Sequence, residues 1–145
     1  MGRLTLEQAS IIVDAALGKG AELGFKPLAV VVLDDGGNMK AMKRQDGAGP
    51  FRPQIALGKA WGAVGMGAPS RFIEKLAQER PYFANSLAAA SGGRLVPVAG
   101  GVLIRDADGV IIGSVGISGD TSDNDETCAI AGIKAANLTP EPGEG

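Results

Sequence analysis

The chain contains no histidine. That absence removes Ser–His and Cys–His nucleophile pairs, histidine metal sites, proximal-histidine ligation of haem and histidine proton transfer. Any chemistry falls to Lys, Arg, Asp, Glu, Tyr, Ser, Thr, Cys or the backbone. Cysteine is nearly absent too. The single Cys128 excludes an intrachain disulfide and any multi-cysteine zinc or iron–sulfur site. No stretch approaches the ~18 consecutive apolar residues of a spanning helix. The start, Met1-Gly2-Arg3-Leu4-Thr5, lacks the apolar run of a secretion signal, so a cytoplasmic location is expected. Strong charge of either sign is missing as well. A formal net charge of −2 points to neither nucleic acid nor an anionic membrane as partner.

What is present is an ordinary globular composition, 45% apolar and 21% charged, in 145 residues. That length suits one domain, which buries roughly two thirds of the surface its unfolded chain exposes. Glycine is the outlier. Its 23 copies, with 8 prolines, imply many tight turns or many close backbone approaches.

Thr5 and Gln8 form a capping box, and Leu6, Ala9, Val13, Ala16, Leu17 and Gly20 follow at helical spacing, predicting a helix over 6–23. Leu28 to Leu33 is an apolar, valine-rich run that reads as a buried strand. Asp35-Gly36-Gly37-Asn38 turns the chain, and Met39 to Arg44 returns as its hairpin partner. A glycine-rich loop at 46–50 precedes a helix over 54–66. Ser70 is expected to cap a helix over 71–79, broken by Pro81, and 82–90 adds another. Gly101 to Arg105 and Val110 to Ile117 form a second hairpin. Ser122 with Asp125 is a capping pattern for a closing helix. A short extra strand is allowed within 94–98. Residues 139–145 read as a flexible tail after a single domain at 1–138. Two antiparallel hairpins bracketed by helices predict an α+β fold, one antiparallel sheet of four to five strands with helices covering a face.

Two blocks carry a family resemblance. The first runs from Val32-Leu33-Asp34-Asp35-Gly36-Gly37-Asn38 through Arg44-Gln45-Asp46-Gly47-Ala48 to Lys59-Ala60. The second runs from Gly100-Gly101-Val102 through Gly116-Ile117-Ser118-Gly119 to Asp125-Glu126. In order and spacing they resemble the GlcG/HbpS family of haem-binding or haem-degrading domains, found also at the C-terminus of PduO-type proteins. The resemblance implies a profilin-like α+β fold, homo-oligomerisation (tetramer to octamer) and haem or another tetrapyrrole as ligand in some members. The chain departs from the pattern in having no histidine where some relatives ligate haem.

Lys40, Lys43, Arg44, Arg52 and Lys59 face a single acid, Asp46, between residues 40 and 59. This excess suits a carboxylate or phosphate, with Arg44 or Arg52 gripping two oxygens in a planar fork; the plain alternative is a solvated strand face and a helix end. Asp46 is read as an orienting group, a base, or an Asx-turn residue. Lys59, alone in an apolar helix, is a base or imine-forming amine if desolvated. Otherwise it is a snorkelling stem or the ion-pair partner of Asp46. Gly100, Gly101, Gly116, Ser118 and Gly119 bring two strand ends together, either to present backbone N–H groups to a ligand or to let the strands bend and pack. Asp120, Asp123, Asp125 and Glu126 miss the calcium-loop spacing, so no metal site is read there. Cys128, Met39, Met42 and Met66 are assigned to the core, and Tyr82 to the core with haem ligation or proton donation as its alternative.

Two functions are therefore in competition. One is an oligomeric binding protein for an anionic, partly flat ligand such as a tetrapyrrole, with the pocket at a subunit boundary. The other is a cofactor-independent lyase, isomerase or hydrolase for a small oxo- or hydroxy-carboxylate. In it Arg44 holds the carboxylate, and Asp46 or Lys59 moves a proton. Both require Arg44, Lys59 and the glycine-lined strand ends to converge on one cavity.

Overall fold

A computed structural model describes residues 3–143. Helix α1 (Leu6–Glu22) starts at the expected capping box: Thr5 Oγ1 accepts from Gln8 N and Gln8 Oε1 accepts from Thr5 N, both at 3.0 Å. Strands β1 (Ala29–Asp34) and β2 (Met39–Arg44) form the first hairpin. Asp34 Oδ1 closes its turn by accepting from Gly36 N and Asn38 N. Helix α2 (Arg52–Met66) begins two residues before the expected 54, because Pro53 fits the first turn, where its missing N–H costs nothing. Helices α3 (Ser70–Glu79) and α4 (Pro81–Ala90) follow, then β3 (Gly101–Arg105), β4 (Ile111–Ser118), α5 (Ser122–Ala135) and β5 (Thr139–Glu141).

The five strands form one antiparallel sheet in the order β2-β1-β4-β3-β5, so the α+β expectation holds. Helices cover both faces rather than one. Val30 and Val32 join Ile12, Val13, Cys128 and Ile133 in a core under α1 and α5, while Ala29, Val31 and Leu33 meet Ala56 and Ala60 of α2. A strand buried on both sides reads as a continuous apolar run, as β1 does. Among the described residues, no helix is long and apolar enough to cross a membrane.

Four local expectations are corrected. Residues 139–141 are not tail but strand, with Leu103, Ile104 and Arg105 opposite Glu141, Pro140 and Thr139; Pro140 is tolerated because β5 is an edge strand. Residues 144–145 lie outside the described residues. The 94–98 segment makes no strand and crosses α2 instead, with Val96 N donating to Gly58 O at 3.3 Å. Thr121, not Ser122, caps α5, its Oγ1 accepting from Asn124 N at 3.2 Å. Ser70 lies inside α3, not at its cap, and its Oγ accepts from Gly101 N at 2.7 Å.

Helix α2 lies unusually close to the sheet. A Cβ on Gly116 would fall inside the radius of Ala56 O, and one on Gly101 inside that of Lys59 O. Backbone atoms cannot give way as a flexible side chain can. Gly116→Ala should therefore cost about 3 kcal/mol or more. Gly18→Ala, in exposed α1 with nothing within 4 Å of the new methyl, should instead stabilise by up to ~1 kcal/mol. Urea unfolding of both variants checks the contrast; equal midpoints would contradict the close approach.

Candidate functional site

Lys59 sits on the face of α2 that carries Ala56, Ala60 and Ala63, and it is 2% exposed. Its Nζ donates to Ile117 O at 2.8 Å and to Asp125 Oδ2 at 3.2 Å. Asp125, 1% exposed, uses its other oxygen to accept from Asp120 N at 3.0 Å. One ion pair therefore ties α2 to the end of β4 and the first turn of α5. Burial pulls the Lys59 amine below its ordinary value and pushes the Asp125 carboxyl above its own, each shift opposed by the partner's charge. The partner of Lys59 is thus Asp125, not Asp46. A sealed, doubly bonded amine is not placed to meet a substrate. Its signal in the sequence is a pair of opposite charges, each on an apolar helical stripe: 56, 59, 60, 63 in α2 and 125, 128, 129, 132 in α5.

The glycine-lined strand ends are filled by protein. Gly100, Gly101, Gly116, Ser118 and Gly119 are all buried. Added Cβ atoms would meet Lys59 Nζ at Gly100, the α2 backbone at Gly101 and Gly116, and Pro27 O at Gly119. The Gly101 N–H donates to Ser70 Oγ and the Gly100 carbonyl accepts from Ile117 N. These positions are therefore closely packed against α2, Lys59 and the segment before β1. Ser118 Oγ accepts from Arg52 Nη1 at 3.1 Å.

Arg44 and Asp46 lie elsewhere. Arg44 is exposed near the end of edge strand β2, and its Nη1 donates to Ala48 O at 2.9 Å. Both residues line an open depression of about 530 Å³ with Ala21, Phe25, Pro27 and Gln45. Lys59 does not line it. The expected convergence of Arg44, Asp46 and Lys59 on one hollow is therefore not formed within the chain. Arg44 and Arg52 do bracket the same loop, residues 45–51. Lys43 pairs with Asp14 of α1 at 2.8 Å on a solvated face. Asp123 and Glu126 pair with Arg71 of α3.

Three residues assigned to the core are on the surface: Tyr82 is 68% exposed, Met39 51% and Met42 37%. The positions of the two methionines follow from a bulge in β2. Met39 pairs with Leu33 and Ala41 with Val32, which leaves Lys40 as an extra residue. Met39 and Met42 thereby share the α2 side of the sheet with Arg44, which lies opposite Ala29. On that side Leu57 and Trp61 pack half-buried against Val31 and Leu33. Phe51, 72% exposed, stands at the start of α2. The result is an open apolar band rich in methionine, with Arg44 and Arg52 toward one end. Cys128 is enclosed between α1 and α5, and burial pushes its thiol up to about 11.

Two outcomes follow from the buried groups. Lys59→Met and Asp125→Leu should each cost about 3–5 kcal/mol, and the double variant clearly less than their sum, because the second change removes the stranded charge. Additive losses in a denaturation cycle would dismiss the pair. Cys128 should resist iodoacetamide in the native protein at neutral pH and react once denaturant unfolds it.

Comparison with known proteins places this geometry. The family described as haem degrading protein HbpS-like matches residues 4–134. The crystal structure of a PduOC–heme complex is 26% identical with a TM-score of 0.85, covering 96% of this chain and 99% of that one. HbpS is 30% identical with a TM-score of 0.79, covering 92% and 90%. Klebsiella pneumoniae protein ORFY is 27% identical with a TM-score of 0.82, also covering 92% and 90%. Among curated proteins nothing matches. With a family match across nearly all of the described residues and this fold in common, the protein belongs to the HbpS-like family.

Proposed function

We propose that this protein binds a tetrapyrrole, haem by preference, on the open apolar band of the α2 side, and that it does so as a homo-oligomer. The observation that carries the reading is the β2 bulge, which sets Met39 and Met42 on one face with Arg44. A porphyrin is a flat apolar disc with acidic substituents, so it needs apolar cover along its faces and cations at one edge. Met39, Met42, Phe51 and Leu57 supply the first, and Arg44 and Arg52 the second. With no histidine in the chain, the thioethers of Met39 and Met42 are donors of a kind that haem iron accepts. The residues present therefore fit the group. Haem would bring the redox chemistry of its iron; the chain contributes cover, orientation and charge.

The family's description as haem degrading and the heme held by the PduOC relative support the ligand class. A band that one chain leaves open gains its second wall from another copy, which supports a pocket at a subunit boundary. The carboxylate enzyme is the weaker reading, because of its two proton carriers Lys59 is sealed against Asp125 and only Asp46 shares the open depression with Arg44. Arg44 is better used as an anchor for propionates.

Haem titrated into purified protein should give a saturable, shifted Soret band. Combined Arg44→Ala and Arg52→Ala should weaken it by about tenfold or more. Met42→Ala should move the band itself. An unshifted Soret band in the unaltered protein ends the reading, and sedimentation as a monomer at micromolar concentration ends its oligomeric part.

A further inference from the structure

A second site lies between α2 and α4. Trp61, Gly62, Gly65, Met66, Leu87, Ala90, Ser91 and Leu95 line a crevice of about 200 Å³. One wall is the indole of Trp61 with the bare backbone of Gly62 and Gly65, and the other is Leu87 and Ala90 of α4. Gly62 is bare because a Cβ would crowd Leu95 and Ile73 at 3.2 and 3.3 Å. Gly65 is different: the nearest atom to an added Cβ is Trp61 Cζ3 at 3.6 Å, an ordinary contact, so the position admits a side chain. A cavity of about 150 Å³ lined by apolar side chains is enough to hold a benzene ring. The crevice is therefore of ring size and bounded by apolar walls.

Beside the crevice, though not among its lining residues, stands Arg94. The Arg94 guanidinium stacks on Trp61 with its carbon 4.2 Å from the ring centroid. Arg94 Nε donates to Ser91 O at 2.9 Å, which fixes the fork, and among the described residues neither Nη has a partner. No carboxylate stands among the lining residues. Ser91 Oγ is already used, donating to Ala88 O and accepting from Leu95 N. A lone cation thus stands next to an apolar crevice.

We infer that this crevice binds a small planar aromatic monocarboxylate, its ring between Trp61 and Leu87 and its carboxylate on the two Nη atoms of Arg94. This does not rest on the haem reading, whose anchors are Arg44, Arg52 and the β2 methionines, although Trp61 also packs beside that band.

Trp61 is the chain's single tryptophan, so its emission reports the site directly. Benzoate titrated into the intact protein should change that emission saturably within the millimolar range. Arg94→Gln should raise the dissociation constant about tenfold, and benzyl alcohol should bind the unaltered protein more weakly by a similar factor. Gly65→Leu should fill the space and abolish the response; should that variant not fold, the Arg94→Gln and benzyl alcohol comparisons still decide. A non-saturating response, or equal affinities for benzoate and benzyl alcohol, overturns the proposal. So does emission that shifts on protein dilution alone, which would mean that a second copy occupies the crevice. Haem titration of Arg94→Gln keeps the two readings apart: unchanged Soret affinity is expected, and parallel loss of both ligands would overturn the independence of the sites.

Discussion

Helix α2 rests on β3 and β4 at a distance that only missing side chains allow, and a buried ion pair fixes where along the sheet it rests. Gly116 lies under Ala56 O, Gly101 under Lys59 O, and Lys59 Nζ reaches past Gly100 to Ile117 O and Asp125. Packing alone would let a small-residue helix slide over a glycine-rich strand, since such surfaces offer few ridges. Lys59 and Asp125 remove that freedom, because any shift would strand two charges away from water. The Asp125–Asp120 bond and the Asp120 bond to Lys26 N extend the same lock to the chain entering β1.

That lock decides where ligands can go. A strand end covered by a helix at backbone contact has no room for a guest, so the glycines that look like a ligand cradle are spent on packing. Under the proposed function, binding falls to the part of the sheet that α2 leaves uncovered. There β2 is an edge strand with a bulge, and its methionines face solvent. Edge bulges commonly redirect side chains near sites, and this one gathers Met39, Met42 and Arg44 on one side.

Most of the fold was legible because its signals are local. The Thr5–Gln8 box, the valine run of β1, the glycine-bearing turns and the helical stripes each report a neighbourhood of a few residues. What was hidden depends on partners distant in sequence. Thr139–Glu141 carries two unfavourable signs for a strand, a proline and a terminal position, and becomes one only because β3 offers an open edge. Lys59 invited pairing with nearby Asp46, whereas its partner lies on another helix. The methionines read as core because the bulge at Lys40 cannot be seen without the facing strand. Without it, simple alternation sends Met39 and Met42 to opposite faces.

The missing histidine ties these features together. A histidine site can be deep, since one imidazole ligates iron from within a closed pocket and supplies most of the specificity. Without it, the proposed haem binding would draw on area, charge and thioether donors, which suit a wide surface better than a narrow hole. The tight side of α2 provides rigidity and no space, while its outer edge and the bulged strand provide an apolar surface with Arg44 and Arg52 close by in the chain. Were Met39 and Met42 to serve as the proposed ligands, the ladder to β1 would hold their backbone more firmly than a loop could. The chain thus meets a demand for surface with the one side of its sheet that close packing leaves open.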